Sequence, residues 1–404
     1  MQADKTVLWS CVVLSTVSIP LGSFSLGLHV VAIFLAAIFG LVGREPVRYR
    51  NVSAILLFLL ALTFHFAAAS FLSLCEDLLQ KSVLSFALFG VMFLCLIRLA
   101  ARADSPPSSK SIRMLLSVIV ISVVIEQIWL WVTGASKLIR PSGIYLEPSH
   151  LALSVIPLIV ALMFSHEMHD RRWSWVSLLA LLMLSGSATL FIVVALCLIA
   201  SYIATTQRSI SIVATARIFF VIGSLIFLIY FSPFWGAFDA RLNGVFKTDF
   251  ASNISSLVYV IGWQMTVDNF RTTDGLGLGF NRMGCTPRPS TDASEVLELM
   301  GLGAVNYNDG SFTFSKIVSE LGIFGIVIWT GAAYLLFRMI VVRGRAIKAA
   351  PIYIALSVSA AMVLIFGGFI RGTTYFSGPF VLGLYFLLAH IVKPSEVSKV
   401  VTTL

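Results

Sequence analysis

Apolar segments long enough to cross a membrane recur along nearly the whole chain, and one polar stretch interrupts them. A membrane-spanning helix needs about 20 predominantly apolar residues. Hydropathy windows predict about twelve such spans. They lie near 6–20, 24–42, 52–71, 83–103, 113–133, 148–165, 172–185, 187–204, 212–232, 313–337, 350–368 and 375–392. The sequence therefore predicts an all-α integral membrane protein, folded as a single polytopic membrane domain over 1–404.

Composition supports the same class of protein. Hydrophobic residues make up 58% of the 404 residues and charged residues only 12%, whereas a soluble domain carries about 25% charged residues. Two pairs of segments are ambiguous: the first two, and the two that meet at Ser185-Gly186-Ser187. Each pair fits either two spans or one long or re-entrant segment.

The distribution of Lys and Arg predicts the orientation, because short cytoplasmic loops are enriched in both. With twelve spans, five basic clusters and the C-terminal tail fall on one face, which we expect to be cytoplasmic together with both termini. The clusters contain Arg44, Arg48 and Arg50; Arg98, Arg102, Lys110 and Arg113; Arg171 and Arg172; Arg208 and Arg217; and Arg338, Arg343, Arg345 and Lys348. The formal net charge of +9 thus reflects topology, and no nucleic-acid partner is expected.

The polar stretch, 231–312, is predicted to be one long loop on the opposite, periplasmic face, carrying short helices. It contains four arginines: Arg241, Arg271, Arg282 and Arg288. Positive charges on this face oppose the orientation rule, so each is a candidate for function. Cys75 and Cys285 share this face in the predicted topology and are a candidate disulfide pair.

A first polar cluster precedes the span that begins near residue 148. Pro148 suits the first turn of a helix, and Glu147 then lies at its cap, near the positive end of the helix dipole. One interpretation is a capped helix start with Arg140 anchored at lipid headgroups. The other is a polar pocket in which Arg140 clamps a phosphate and Glu147 accepts a proton.

Within the long loop, an amphipathic helix is predicted over 253–270. Its apolar side is assigned to Val258, Ile261, Met265 and Val267, with Tyr259 and Trp263 available for an interface. The glycine run from Gly275 to Gly279 follows, without the strand-turn-helix context of a nucleotide site. We therefore expect these glycines to permit a tight turn or a close backbone approach.

The end of the loop and the last outer turn hold further candidates. Asn308, Asp309 and Ser311 either cap the next helix or, in the case of Asp309, face a reaction site. Arg371 lies in a short outer turn among glycines, where a charge is costly unless it has a partner. Inside the spans, Glu126 has no evident partner, whereas Lys316 and Glu320 are one helical turn apart and are expected to neutralise one another.

Several of these motifs, in this order, resemble the bacterial O-antigen and exopolysaccharide polymerases (Wzy-type), members of the same superfamily as the O-antigen ligases. The similar motifs are Arg140 with Gly143-Ile-Tyr145-Leu-Glu147-Pro-Ser, Arg241, Asp274-Gly-Leu-Gly-Leu-Gly-Phe, Asn308-Asp309-Gly310-Ser311, Glu320-Leu-Gly-Ile-Phe-Gly325 and Arg371.

The resemblance implies a glycosyltransferase of the GT-C type in the bacterial inner membrane, with a periplasmic active site. It would transfer a growing glycan from one undecaprenyl-diphosphate carrier to a second lipid-linked repeat unit, without metal or cofactor. Its expected partners are the lipid-linked donor and acceptor, the bilayer and a chain-length regulator.

The resemblance also implies roles for individual residues. Arg241 and Arg371 would hold the diphosphate, because a guanidinium group matches phosphate oxygens. Glu147 and Asp309 are the nearest carboxylates to act as a base. The remaining substrate-binding candidates are Arg140, Tyr145, Arg271, Arg282, Asn308 and Tyr375.

Two alternatives stay open. An O-antigen ligase would transfer the glycan to lipid A-core, but ligases typically carry a histidine at the end of the long loop, and this chain has none between His169 and His390. A transporter or flippase for a lipid-linked glycan would need polar residues deep in many spans and internal repeats, and neither pattern is evident.

Overall fold

The computed structural model describes residues 3–21, 24–41, 52–71, 78–102, 107–134, 140–145, 147–205, 254–346, 351–372 and 374–392. The predicted span near 212–232 and the first part of the long loop, Arg241 included, lie outside these ranges. The described chain is helical apart from one short hairpin.

The N-terminal half contains eight helices among the described residues. They are α1 (Ala3–Val13), α2 (Leu28–Leu41), α3 (Val52–Phe71), α4 (Leu79–Ala101), α5 (Ser109–Val132), α6 (Pro148–Met163), α7 (Met168–Ser185) and α8 (Ala188–Thr205). A 3-10 turn, Leu14–Thr16, leads from α1 into the antiparallel strands β1 (Ser18–Leu21) and β2 (Phe24–Gly27).

The C-terminal half begins with two helices of the long loop, α9 (Ile254–Thr272) and α10 (Asp292–Leu299). The long helix α11 (Thr313–Ala346) follows, and then α12 (Pro351–Met362), which continues through a π-helical turn, Val363–Gly367, and a last turn, Gly368–Ile370. Helix α13 (Gly378–Val392) closes the described chain.

The chain is a membrane-embedded helical protein. Five helices in the described ranges are long and apolar enough to span a bilayer: Leu79–Ala101, Ser109–Val132, Ala188–Thr205, Thr313–Val341 and Pro351–Ile370. Four shorter apolar helices accompany them: Leu28–Ile38, Ile55–Phe71, Pro148–Met163 and Gly378–Val392.

The first predicted span, near 6–20, is wrong in its extent, because α1 ends at Val13. Local chemistry explains the early end: the Thr16 hydroxyl donates to the carbonyl of Val13 at 2.7 Å, and Pro20 has no N–H with which to continue a helix. The other ambiguous pair forms two separate helices. Gly186 ends α7 in the left-handed conformation (φ 54°), with its N–H on the Leu182 carbonyl.

The centre of the bundle is formed by α6 and α12, which pack against each other and against α8. All residues from Leu151 to Leu162 of α6 and from Ile354 to Met362 of α12 are buried. On α5, by contrast, Ile121, Ile125 and Trp129 form an exposed apolar stripe at helical spacing. Such a surface is suited to lipid and not to water.

Helix α11 is broken near its start, at Gly322, whose φ and ψ are 57° and −134°. The glycine run packs into this break: Leu278 and Gly279 donate their N–H groups to the carbonyls of Ser319 and Glu320, each at 2.9 Å. The Ile323 N–H in turn donates to the Gly275 carbonyl at 2.8 Å. The backbone groups freed by the break are therefore satisfied by the loop, as a membrane helix requires.

The predicted amphipathic helix of the loop is α9, which packs against α10 and the start of α11. Val258, Ile261 and Met265 are buried in a small second core with residues of α10. Val267, predicted on the same apolar side, is exposed. Its position lies two residues beyond Met265 and therefore falls outside the buried stripe.

Candidate functional site

An ion pair between Glu147 and Arg371 joins the start of α6 to the turn before α13. Glu147 is the N-cap residue of α6, but its side chain makes no capping hydrogen bond. Its carboxylate instead contacts Nη2 of Arg371 and accepts a hydrogen bond from the Ser149 hydroxyl at 3.1 Å. The two side chains are 44% and 19% exposed, so this pair is open to a ligand from outside the protein.

Arg371 itself is held by its backbone. Its N–H donates to the Gly367 carbonyl at 2.9 Å, and its own carbonyl accepts from the N–H and the hydroxyl of Thr313, at 3.4 and 3.3 Å. The Nε atom of its guanidinium is buried with no acceptor in the described structure. The end of the long loop thus anchors the main chain of Arg371 and leaves part of its side chain unused.

His150 is a further titratable group at this pair. It lies one helical turn after Glu147, interacts electrostatically with Glu147, Arg371 and Asp309, and hydrogen-bonds to the backbone of Gly372. Sequence reasoning gave it no role, although its spacing of three residues from Glu147 on a helix start was a usable signal.

Asn308 and Asp309 both contact Lys316, one turn into α11. The Lys316 ammonium donates to the Asn308 carbonyl at 3.0 Å and lies 3.8 Å from Oδ1 of Asp309. The Asp309 side chain is 54% exposed, whereas that of Lys316 is 2% exposed. Asp309 therefore presents its carboxylate outward from a buried cation, on the segment that also holds Arg371.

The partner of Lys316 on its own helix is Glu320, at 3.2 Å, as their spacing predicted. Glu320 is fully buried. Its carboxylate also accepts the N–H groups of Asn281 and Met283, at 2.8 and 3.1 Å, and the hydroxyl of Tyr375, at 2.7 Å. This carboxylate has a full set of protein donors and joins three parts of the fold.

Two tyrosines predicted to bind substrate lie in the core. Burial, together with the Glu320 carboxylate, raises the pKa of the Tyr375 phenol well above its ordinary value, so that it stays a donor to Glu320. Its ring stacks on Phe280 with a centroid distance of 4.5 Å. Burial likewise raises the pKa of Tyr145, whose hydroxyl donates to the Val12 carbonyl at 2.8 Å. Packing accounts for both residues.

The turn before α6 has structural partners of its own. Glu126, which had no evident partner in the sequence, accepts the N–H groups of Ser142 and Gly143 at 2.6 and 2.5 Å. Arg140 is half-buried and donates to the Gly186 carbonyl at 3.4 Å. The contact with Gly186 is a third arrangement, distinct from both lipid-headgroup anchoring and phosphate binding, and those two interpretations of Arg140 stay untested.

The remaining loop arginines differ in their surroundings. Arg271 is exposed at the end of α9. Arg282 is fully buried, and burial lowers the pKa of its guanidinium. Its Nη2 donates to the Ser70 hydroxyl at 3.3 Å, while Nε and Nη1 have no acceptor in the described structure. Cys285 is disulfide-bonded; Cys75 lies outside the described residues, so their pairing stays a prediction.

The structure therefore brings together Glu147, Arg371 and, through Thr313, the segment with Asn308 and Asp309. It places Tyr145 and Tyr375 in the core and Arg140 against α7.

No protein-family model matches the chain, and no curated protein matches it.

Proposed function

We propose that the protein is a membrane glycosyltransferase that joins undecaprenyl-diphosphate-linked repeat units into O-antigen or a related surface polysaccharide. The proposal extends to about twelve spans, a GT-C-type fold, cytoplasmic termini and a periplasmic site in the inner membrane. It rests on the resemblance of the motifs, and the observation that carries it is the accessible ion pair of Glu147 and Arg371 beside Asp309.

In this reaction, a hydroxyl of the acceptor sugar attacks the anomeric carbon of the donor glycan. The bond from that carbon to the diphosphate oxygen breaks, and the lipid diphosphate leaves with the bonding electron pair. The hydroxyl proton passes to a base on the protein. The chain thus needs a fixed cation for the leaving group and a proton acceptor within reach of the attacking hydroxyl.

The pair supplies both groups. A diphosphate that binds Arg371 competes with Glu147 for the guanidinium. Glu147, once released, is free to accept the hydroxyl proton. Substrate binding and activation of the base are then coupled in a single exchange of ion-pair partners.

The disulfide supports the outward orientation of the loop. Disulfides persist in the periplasm and are rare in the cytosol, and Cys285 lies in the loop between α9 and α10. The topology deduced from Lys and Arg places the same loop on the periplasmic face.

A ligase is the second candidate, since His150 brings a histidine to Glu147 and Arg371 from α6. The two functions differ in the acceptor and share the lipid-linked donor. The polymerase remains our first proposal, because the segment that closes the long loop carries Asp309 and no histidine.

The test is deletion of the gene in the native host, followed by gel analysis of the surface polysaccharide. A polymerase predicts that the deletion leaves a band with a single repeat unit and that the intact gene restores the ladder. Complete loss of glycan from the lipid would assign a ligase, and an unchanged ladder would refute both.

A further inference from the structure

A cleft of about 280 Å³ lies between α9 and the segment that leads into α10. Its walls are Trp263, Gln264, Val267 and Asp268 on α9, and Pro289 and Thr291 on the opposite side. The volume is close to the lower limit of about 300 Å³ for small-molecule sites. The exposed side chain of Val267 forms part of this lining.

The apolar wall of the cleft is a rigid aromatic surface. Trp263 is 37% exposed, and its ring is supported from behind by Phe312 and Phe314, at centroid distances of 5.0 and 5.8 Å. Tyr259 packs edge-on against it at 6.4 Å. A tryptophan fixed in this way loses little conformational entropy when a flat ligand covers its free face.

The surface that lines the cleft is almost entirely apolar, and hydrogen-bonding groups lie at its edge. The Thr291 hydroxyl donates to Oε1 of Gln264 at 2.9 Å, which orients the amide and leaves its NH₂ group as a donor. Asp268 follows Gln264 by one turn and is exposed, so that its carboxylate is an acceptor at the edge of the cleft.

We propose that this cleft binds an uncharged pyranose ring of the glycan. A pyranose has an apolar face of C–H groups, which matches the Trp263 ring, and an edge of hydroxyl groups, which match a carboxylate and an amide. The Asp268 carboxylate repels phosphate, so the cleft suits a sugar and not the lipid diphosphate. This inference rests on the proposed function, since it names where the glycan is held.

The cleft adjoins the candidate active site through consecutive residues. Phe312 supports the Trp263 ring, and the next residue, Thr313, holds the main chain of Arg371. A sugar in the cleft therefore tethers the glycan near the reacting end. Loss of the tether should allow earlier release, so that chains become shorter but are still made.

The experiment compares Trp263→Ala, Trp263→Phe and Asp268→Asn with a matched control. Trp175→Ala is the control, because Trp175 is 36% exposed and lies on α7, away from the loop. The first measurement is the length distribution of the ladder when each variant is expressed in the deletion host. The second is the binding of each detergent-solubilised variant to phosphate-free glycan, which mild acid releases from the surface polysaccharide of that host.

We expect Trp263→Ala to weaken glycan binding at least tenfold and to shift the ladder to shorter chains. Trp263→Phe should retain most of both properties, Asp268→Asn should show an intermediate loss, and Trp175→Ala should match the wild type. Wild-type binding and chain length in Trp263→Ala would overturn the sugar site. A lower melting temperature in that variant with unchanged binding would also overturn it and indicate a membrane-interface anchor.

The two proposals fail separately in these measurements. Suppose that deletion of the gene leaves the surface glycan unchanged while Trp263→Ala still loses binding to the released glycan. The sugar-binding proposal is then supported and the polymerase proposal is refuted. If Arg371→Ala removes the ladder while Trp263→Ala binds glycan and polymerises normally, the polymerase proposal is supported and the sugar-binding proposal is refuted.

Discussion

Among the described residues, two ion pairs between a glutamate and a basic residue lie near the long loop, and they differ in burial and in their further partners. Glu320 and Lys316 are 0% and 2% exposed, and protein donors occupy both carboxylate oxygens of Glu320. Glu147 and Arg371 are 44% and 19% exposed, and Ser149 is the further donor to the Glu147 carboxylate. The first arrangement leaves no capacity for a substrate, whereas the second does.

The difference in burial predicts that the two ion pairs contribute unequally to stability. Removing one member of a buried pair leaves an uncompensated charge and costs about 3–5 kcal/mol. A partly exposed pair contributes only about 0–1 kcal/mol to stability. We therefore expect the Lys316–Glu320 pair to hold the loop onto the broken helix, and the Glu147–Arg371 pair to be available for chemistry.

The largest effect is expected from Glu320→Gln. The amide cannot neutralise Lys316, and its NH₂ group faces donors, so the fold should lose about 3–5 kcal/mol. The measurement is the thermal unfolding midpoint of detergent-solubilised protein, with Glu295→Gln on the exposed face of α10 as control. An unfolding midpoint equal to wild type would show that the buried network does not hold the loop.

The next effect separates the two candidate bases. Glu147→Gln should lower polymer formation by about 10²–10⁴-fold, the range expected for loss of a general base. Asp309→Asn should cost about tenfold or less, because Asp309 lies against Lys316 and not against Arg371. The measurement is the amount of ladder formed at matched protein levels, and equal wild-type activity in both variants would mean that neither carboxylate is the base.

A smaller effect on stability is expected from Gly277→Ala. Gly277 has φ of 87°, and a Cβ there would lie 2.5 Å from the Glu320 carbonyl oxygen. The strain should cost about 1–3 kcal/mol and loosen the loop at the break in α11. Gly331→Ala is the matched control, because Gly331 lies on α11 with open space around it. This change should be neutral or slightly stabilising. Equal unfolding midpoints for the two variants would contradict this packing of the glycine run.

Much of the fold was predictable from the sequence because long apolar runs determine helix positions in a membrane. The helices α4, α5, α6 and α8, and the start of α11, lie within a few residues of the predicted spans. The end of α1 at Val13 was not predicted, since hydroxyl groups and Pro20 break an apolar run without lowering its hydropathy much. The break at Gly322 depends on a distant loop and has no local signal beyond the glycine itself.

The sequence predicted several residues of the site but not which of them contact one another. Glu147 and Arg371 were both candidates, but they are 224 residues apart, and only tertiary structure shows that they meet. Tyr145 and Tyr375 were candidates by residue type, yet their burial is decided by the helices packed around them. His150 was overlooked: its three-residue spacing from Glu147 is visible in the sequence, but its interactions with Arg371 and Asp309 depend on tertiary structure.

The most direct test of the account is polymerisation by purified protein, reconstituted in liposomes with lipid-linked repeat units extracted from the deletion host. Wild-type protein should form polymer and release lipid diphosphate. Arg371→Ala should form at least 100-fold less polymer while its unfolding midpoint stays at the wild-type value, and Arg371→Lys should recover part of the activity. Wild-type polymer from Arg371→Ala would contradict the claim that the accessible ion pair is where sugars are joined.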